Sequence, residues 1–337
     1  MNPAHCCTES LLSPPWRGSN ALRGIHYVMG TLLDVTLHYD TEVEGKRLLQ
    51  YCFQEARRLE ELLSTHDEES ELNRLNAHAG QGPLKIDRDL WSVLDISVRL
   101  GRTTEGALDI TIGPLIDLWS LAELKGTLPS PDSVSEVLRR TGISRVHLLP
   151  DWRGELTEAG MRLDLGGIGK GYAVDRLKGL LAREGVESAF INFGRSSLAA
   201  LGSPPGRRAW PVLLEGGEGE LVGLAHLKDQ SLSASGNFGH TYEIGRARYG
   251  HLIDPRNGFP LCHPTLGVAV AQTAAEAEAL TKALVILGPD QGLPVVTRFS
   301  SAEGLLVFSH GQRVSSFGFR EAVRFQPAEE ALGGYIQ

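Results

Sequence analysis

A glycine-rich segment at 163–175 carries the strongest chemical signal in the chain, and it reads Leu-Asp-Leu-Gly-Gly-Ile-Gly-Lys-Gly-Tyr-Ala-Val-Asp. Glycines let a backbone approach a ligand closely, and a helix that starts among them directs N–H groups toward an anion. Lys170 adds a cation, so the segment suits a phosphate or pyrophosphate group. Its spacing matches neither the Walker pattern nor the dinucleotide fingerprint. A tight strand-to-helix turn is therefore an equally good interpretation of this segment alone.

A second segment, 249–258, places a histidine before a rigid turn. His251 stands three residues before Asp254, which begins the sequence Asp-Pro-Arg-Asn-Gly. Imidazole exchanges a proton near neutral pH, and these turn residues fix the backbone locally. The pattern predicts a base or a hydrogen-bonding group at the edge of a cleft, and a structural histidine beside an ordinary turn is the alternative.

A third candidate cluster lies in the segment 277–284. Glu278, Thr281 and Lys282 are spaced i, i+3 and i+4, so a helix brings a carboxylate, a hydroxyl and an ammonium to one face. The alternative is a Glu–Lys pair on the protein surface, which the apolar residues on both sides of the cluster disfavour.

The composition is that of a globular protein with a sizeable core: 337 residues, 42% hydrophobic and 22% charged. Forty-one acidic against 33 basic residues give a formal charge of −8. Because the basic residues are not segregated, we expect no nucleic-acid partner.

Targeting signals and cysteine usage indicate in which cellular compartment the protein is expected. No stretch of ~18 apolar residues predicts a transmembrane segment. The first 24 residues lack the basic start and apolar run of a signal peptide, so we expect a cytoplasmic protein. Cys6, Cys7, Cys52 and Cys262 form no CxxC pair, which favours unpaired thiols in a reducing compartment.

Hydrophobic periodicity predicts the helices and strands that must position the three segments. Helices are predicted over 44–63, 87–101, a short stretch from 131, 172–182 and 274–287. Strands are predicted over 31–39, 146–149, 189–192, 210–214, 221–227, 242–244, 248–252, 266–271, 305–308 and 314–319. Because no regular βαβ repeat occurs, the pattern favours an α+β fold of mixed, mainly antiparallel sheets with packed helices. We expect a flexible extension over 1–24, one domain over 25–325 and a tail over 326–337.

Several motifs in a fixed order resemble one protein family, the ApbE-like FAD:protein FMN transferases. The stretch at 106–115, Gly-Ala-Leu-Asp-Ile-Thr-Ile-Gly-Pro-Leu, is similar to the family's G-x-F-D-x-T-x-G-P-L motif. The other matching blocks are 29–31, 64–66, 70–76, 164–175, 192–194, 233–236 and 251–258. The resemblance runs from Met29 to about Phe319, which is nearly the whole chain after its first residues.

The resemblance implies a two-lobed α+β fold that binds FAD as substrate and uses Mg²⁺. It also implies transfer of FMN to a hydroxyl, usually of a threonine, of an acceptor flavoprotein, with release of AMP. The matching positions that would line the flavin nucleotide are Met29, Ala107, Leu108, Asp109, Asp164, Lys170, Leu252 and Ile253. The resemblance makes the backbone carbonyl of Gly167 one metal ligand, and the side chains of Glu278 and Thr281 are the other candidates. His251 is the candidate that helps to deprotonate the acceptor hydroxyl.

The sequence departs from the family at two positions of the metal-binding helix. Glu278 and Lys282 stand where the family usually has an Asp and a Thr. A glutamate still reaches a hard cation, whereas an ammonium has no lone pair to donate. Either Thr281 and Glu278 hold Mg²⁺ with water, or Lys282 takes the place of the metal. Besides the transferase, two other hypotheses follow: a catalytically weak or inactive FAD-binding protein, and an α+β scaffold that no longer binds nucleotide.

Overall fold

The computed structural model describes residues 20–216, 220–237, 241–263 and 265–333. Its strands are, in chain order, β1 (Ala21–Val28), β2 (Thr31–His38), β3 (Leu84–Lys85), β4 (Val146–Leu149), β5 (Arg153–Leu156), β6 (Ala189–Phe193), β7 (Ser197–Leu201), β8 (Trp210–Glu215), β9 (Leu221–Leu227), β10 (Ser231–Gly236), β11 (Thr241–Ile244), β12 (Ala247–Gly250), β13 (Ile253–Asp254), β14 (Phe259–Pro260), β15 (Thr265–Ala271), β16 (Glu303–Phe308), β17 (Arg313–Ser315) and β18 (Gln326–Pro327). Its helices are α1 (Glu42–Leu63), α2 (Glu71–Ala77), α3 (Arg88–Thr103), α4 (Gly113–Lys125), α5 (Pro131–Leu138), α6 (Gly169–Arg183), α7 (Ala274–Val296), α8 (Phe319–Ala322) and α9 (Ala328–Gly333).

The largest sheet has the strand order β1-β2-β6-β7-β10-β15-β16-β17. Its neighbouring strands pair in antiparallel register, for example Leu33 opposite Phe193 and Ser233 opposite Ala269. The smaller sheets β18-β9-β8 and β3-β5-β4 are also antiparallel. The predicted α+β fold with mainly antiparallel sheets and packed helices is confirmed.

Each face of the large sheet is covered by a different layer. Alternation along β2 buries Leu33, Val35 and Leu37 completely, and they share a core with helix α1. On the opposite face, Trp210 of β8 and Val268 of β15 belong to a second core between this sheet and the β18-β9-β8 sheet. The sheet therefore has helices on one side and a second sheet on the other.

Helix α7 lies in the interior and carries the third candidate cluster. The Thr273 side chain accepts a hydrogen bond from the Glu276 N–H, and the Glu276 carboxylate accepts one from the Thr273 N–H, which fixes the helix start. Helical geometry breaks at Gly288, where φ is 73° and a proline follows. The helix predicted over 274–287 therefore ends where expected, and a further helical stretch continues to Val296.

Several local predictions differ from the structure. Strand β1 begins at Ala21 and pairs with β2, so residues 21–24 belong to the sheet, whereas residues 1–19 of the expected extension lie outside the described residues. Strand β18, at the start of the expected tail, pairs with β9. Helix α2 forms inside a stretch with no clear apolar pattern, where Ser70 caps its first turn. Helix α4 was missed because apolar residues lie on all its sides, which removes the amphipathic stripe.

Cysteine usage agrees with the expectation for two of the four residues. Cys52 is a buried unpaired thiol and Cys262 an exposed one. Cys6 and Cys7 lie outside the described residues.

Helices α6 and α7 approach each other closely at Gly171, and its replacement by alanine is expected to lower the free energy of unfolding by about 1–3 kcal/mol. A Cβ at this position would stand 2.6 Å from the carbonyl oxygen of Ala274, which is backbone and cannot move aside cheaply. Gly179→Ala on the same helix is the matched control, since its Cβ would meet only Arg183 at 3.5 Å. The control should gain about 0.5–1 kcal/mol from helix propensity. Urea unfolding of both variants tests this, and equal stabilities would contradict the packing argument.

Candidate active site

The three candidate segments, 163–175, 249–258 and 277–284, all contribute residues to one cavity of about 470 Å³. Most of the site residues expected from the sequence line it, namely Ala107, Leu108, Asp109, Asp164, Gly167, Lys170, His251, Leu252, Ile253 and Glu278. Lys282 lines it as well, whereas Met29 and Thr281 do not. The volume is typical of a site for a small molecule or cofactor.

The glycine segment forms the floor of this cavity. The Asp164 carboxylate accepts a hydrogen bond of 2.8 Å from the Gly166 N–H, which closes the turn before helix α6. The helix begins at Gly169 without a side-chain cap, so Lys170 lies in its first turn. The N–H groups of Ile168 and Gly169 donate to the Leu165 carbonyl, so the helix dipole and the Lys170 ammonium are what make this terminus attractive to anions.

Met29 contacts the floor from outside the cavity. Its backbone has a φ of 50°, and its N–H donates to the Glu60 carboxylate at 2.6 Å. Its methyl carbon lies 3.7 Å from the place where a Cβ on Gly169 would stand. The structure thus places Met29 against the start of helix α6.

Asp109 lies in the wall of the cavity, but its carboxylate accepts hydrogen bonds from other residues of the protein. One oxygen accepts hydrogen bonds from the Thr111 N–H and hydroxyl, and the other accepts one from the Ile143 N–H at 3.0 Å. Burial raises the pKa of Asp109, and these hydrogen bonds oppose that shift. Asp109 therefore holds the wall formed by Ala107 and Leu108 against the segment at 143.

His251 is positioned by contacts that the sequence did not reveal. The Asn237 amide donates to the Leu261 carbonyl at 2.8 Å, and its oxygen accepts the Leu252 N–H at 3.5 Å. A Cβ on Gly250 would lie 1.8 Å from the Asn237 side-chain oxygen, so only glycine fits beside this amide. Asn237 therefore fixes the backbone on both sides of His251.

The turn after His251 is anchored from two directions. The Asp254 carboxylate accepts hydrogen bonds from the Arg256 N–H and guanidinium and from the Asn257 amide. From helix α4, the Trp119 indole N–H donates to the Gly258 carbonyl at 2.8 Å. The predicted rigid turn is confirmed.

Helix α7 presents Glu278 and Lys282 to the cavity. Glu278 is only 1% exposed; one carboxylate oxygen accepts a hydrogen bond from the Ser197 hydroxyl. The other oxygen is buried and has no hydrogen-bond partner among the described residues. Lys282 is half-buried one turn later. Burial lowers the pKa of Lys282, the Glu278 carboxylate opposes that shift, and the nearby Lys170 ammonium lowers it further.

The residues expected to hold Mg²⁺ do not form a fitting ligand set. Gly167 and Glu278 line the cavity, but Thr281 is fully buried and its hydroxyl donates to the Glu278 carbonyl of its own helix at 2.7 Å. Lys282 brings to the same place an ammonium, which donates hydrogen bonds and offers no lone pair. A divalent cation would have to sit beside a like charge, so these donors do not suit one.

Sequence and structure comparisons agree on the family. The model of the ApbE family matches residues 29–306. This chain belongs to the ApbE family. A relative from Treponema pallidum named FAD:protein FMN transferase is 29% identical over 90% of this chain and 89% of its own length. One of the same name from Klebsiella pneumoniae is 30% identical over 73% and 72%.

Solved structures of ApbE proteins show the same fold. The ApbE protein of Thermotoga maritima is 24% identical to this chain, with a TM-score of 0.80 over 90% of this chain and 99% of that one. The flavinyl transferase ApbE of Pseudomonas stutzeri is 25% identical, with a TM-score of 0.78 over 90% and 97%. Within the described part of our ApbE family member, no helix is long and apolar enough to cross a bilayer.

Asp175 ties the two site-bearing helices of this ApbE family member together. Its carboxylate accepts hydrogen bonds from the N–H groups of Ala274 and Ala275, at 2.7 and 2.9 Å, at the start of helix α7. Burial raises the pKa of Asp175 to about 6, while these two hydrogen bonds pull it down. The ionised carboxylate is thus less favourable in the folded than in the unfolded protein.

The Asp175 carboxyl is expected to make the stability of the protein rise as the pH falls from about 7 to about 4. Between the unfolded pKa of about 3.8 and the folded pKa of about 6, the folded state binds more protons. The gain amounts to about 3 kcal/mol at most. The variant Asp175→Asn lacks this contribution. The wild type should therefore gain stability relative to the variant as the pH falls. Urea unfolding across this pH range tests it, and a pH-independent difference would contradict it.

Proposed function

We propose that this chain is an FAD:protein FMN transferase, which moves FMN from FAD to a threonine or serine hydroxyl of an acceptor flavoprotein and releases AMP. The supporting observation is that one cavity of an ApbE family member combines a glycine-rich helix start, two lysines, an imidazole and apolar walls. Relatives from T. pallidum and K. pneumoniae carry this activity in their names.

FAD as substrate accounts for the chemistry of the cavity walls. We assign the pyrophosphate to the start of helix α6 and to Lys170, because both favour negative charge. The apolar side chains of Ala107, Leu108, Leu252 and Ile253 offer surface for the ring systems of the dinucleotide. Asp164 stands at the same floor and offers a carboxylate for hydrogen bonds from FAD.

The transfer step makes one bond and breaks one bond. The oxygen of the acceptor hydroxyl attacks the phosphorus of the FMN moiety, and the bond from this phosphorus to the bridging oxygen breaks, so AMP leaves with that oxygen. The hydroxyl proton passes to His251 and then to solvent, which balances the extra negative charge of the products. The positive groups of the floor stabilise charge on the phosphoryl oxygens, and the protein does little covalent chemistry itself.

Mg²⁺, which the resemblance implies, has no part in this proposal because Lys282 stands among its expected ligands. Without a metal, Gly167 belongs to the floor that we assign to the phosphates, Glu278 is the counter-charge of Lys282, and Thr281 supports helix α7. The cytoplasmic location stays a prediction.

The direct test incubates the purified chain with FAD and a candidate acceptor flavoprotein expressed without its flavin. We expect AMP in solution and flavin that stays on the acceptor after denaturation, in equal amounts. FAD that binds and stays intact with each acceptor tried would support the alternative of an FAD-binding protein. If flavin fluorescence does not change on mixing, the protein is a scaffold that binds no nucleotide.

A further inference from the structure

Lys282 extends from helix α7 to the glycine-rich floor of the cavity. Its Cε atom lies 3.7 Å from the point where a Cβ on Gly167 would stand. The same region is the start of helix α6, where an anionic group is most favourable. The ammonium of Lys282 therefore stands where the phosphates of a nucleotide would be expected.

Glu278 is held in place one helical turn before Lys282. The Ser197 hydroxyl, from the neighbouring strand β7, donates to one carboxylate oxygen. The second oxygen is buried without a hydrogen-bond partner among the described residues, and Glu278 lines the cavity. Buried carboxylates with an unsatisfied oxygen are costly, so a positive group beside them is stabilising. Lys282 supplies that charge from within the chain.

The charges around Lys282 prepare the cavity for an anion. Glu278 attracts the ammonium, whereas Lys170, which lines the same cavity, repels it. A pyrophosphate beside the two lysines brings two negative charges, which offset their repulsion and favour the charged form of Lys282. A divalent cation in the same place would add a third like charge. The pair of lysines thus favours a polyanion and disfavours a second cation.

We propose that Lys282 is the built-in cation of this site, and that FAD binds and reacts here without a divalent metal ion. The inference rests on the proposed FMN transfer and leaves its bond changes as they are: Lys282 neither gives nor takes a proton and stabilises negative charge on the phosphoryl oxygens. Ser197 is a positioning residue, which orients the Glu278 carboxylate.

The experiment titrates the full-length chain with FAD, in EDTA and in millimolar MgCl₂, and follows flavin fluorescence. We expect nearly equal affinities for the wild type in the two buffers. Lys282→Thr should bind FAD about 10- to 100-fold more weakly in EDTA, because a charged hydrogen bond is lost. The same variant should regain affinity in MgCl₂, since the ammonium no longer repels the metal. Calorimetry with MgCl₂ alone should show metal binding to the variant and none to the wild type.

A second variant keeps the test informative if Lys282→Thr does not fold. Lys282→Thr leaves Glu278 without its counter-charge, whereas the double variant Glu278→Gln/Lys282→Met removes both charges and keeps the volumes similar. We expect the double variant to unfold at a midpoint close to that of the wild type, to bind FAD weakly in EDTA and to gain nothing from MgCl₂. If it binds FAD as tightly as the wild type, Lys282 is not the cation of the site.

Failure of the inference can be told apart from failure of the proposed function. If the wild type binds FAD only when Mg²⁺ is present, FMN transfer remains the proposed function and the role of Lys282 is overturned. If the wild type binds no FAD in either buffer, both proposals are overturned.

Discussion

Replacement of His251 by alanine is expected to lower the rate of flavin transfer by about 10²- to 10⁴-fold, the usual contribution of a general base. His251 lines the same cavity as the glycine-rich floor and is the imidazole we assign to the acceptor hydroxyl. The affinity for FAD should change little, because the pyrophosphate is assigned to the floor. Rates of AMP release and fluorescence titrations of FAD measure the two quantities separately.

Two further variants sharpen this test. His251→Gln keeps a hydrogen-bonding side chain but cannot accept a proton near neutral pH, so it should be nearly as slow as the alanine variant. His310→Ala is the matched control, since His310 is exposed and its ring hydrogen-bonds only locally, to Gln312. An alanine variant at 251 that transfers flavin at the rate of the control would remove His251 from the proton path.

The local features of the site could be predicted from the sequence because their physical causes are local. The glycines at 166–171 must precede a helix, and the structure begins helix α6 at Gly169, three residues before the predicted start. The turn at 254–258 depends on hydrogen bonds that the Asp254 carboxylate accepts from neighbours two and three residues away. Interactions between residues so close in the chain produce a pattern of residue types that can be recognised in the sequence.

The groups that hold the site together could not be predicted, because their contacts join distant parts of the chain. Trp119 bonds the carbonyl of Gly258 across 139 positions, and Ser197 bonds Glu278 across 81. Nothing in the local sequence distinguishes Ser197 from other small residues in strands. For Asn237 a weak signal exists, because the glycine at 250 has no role in a turn and its explanation must be close packing.

The metal site shows why family resemblance and side-chain chemistry must be weighed together. The resemblance aligned Gly167, Glu278 and Lys282 with metal-ligand positions and left Thr281 as the neighbouring hydroxyl; the first three line the cavity, and Thr281 does not. Alignment could not decide whether the substituted Lys282 points away from the site or into it. Its position against Gly167 decides this, since a half-buried ammonium at the floor changes the charge that the site can accept.

Lys170→Ala is expected to weaken FAD binding by about 10- to 100-fold, which corresponds to the loss of one charge-assisted hydrogen bond. Arg183→Ala is the matched control, because Arg183 is an exposed cation in the last turn of the same helix. The affinity difference should shrink in high salt, as expected for an interaction between charges. Removal of Lys170 also ends its repulsion with Lys282, so the unliganded variant should unfold at the same midpoint as the wild type or a higher one. Weaker FAD binding with undiminished stability would identify Lys170 as a ligand-binding residue, whereas a parallel loss of both would show that it only supports the fold.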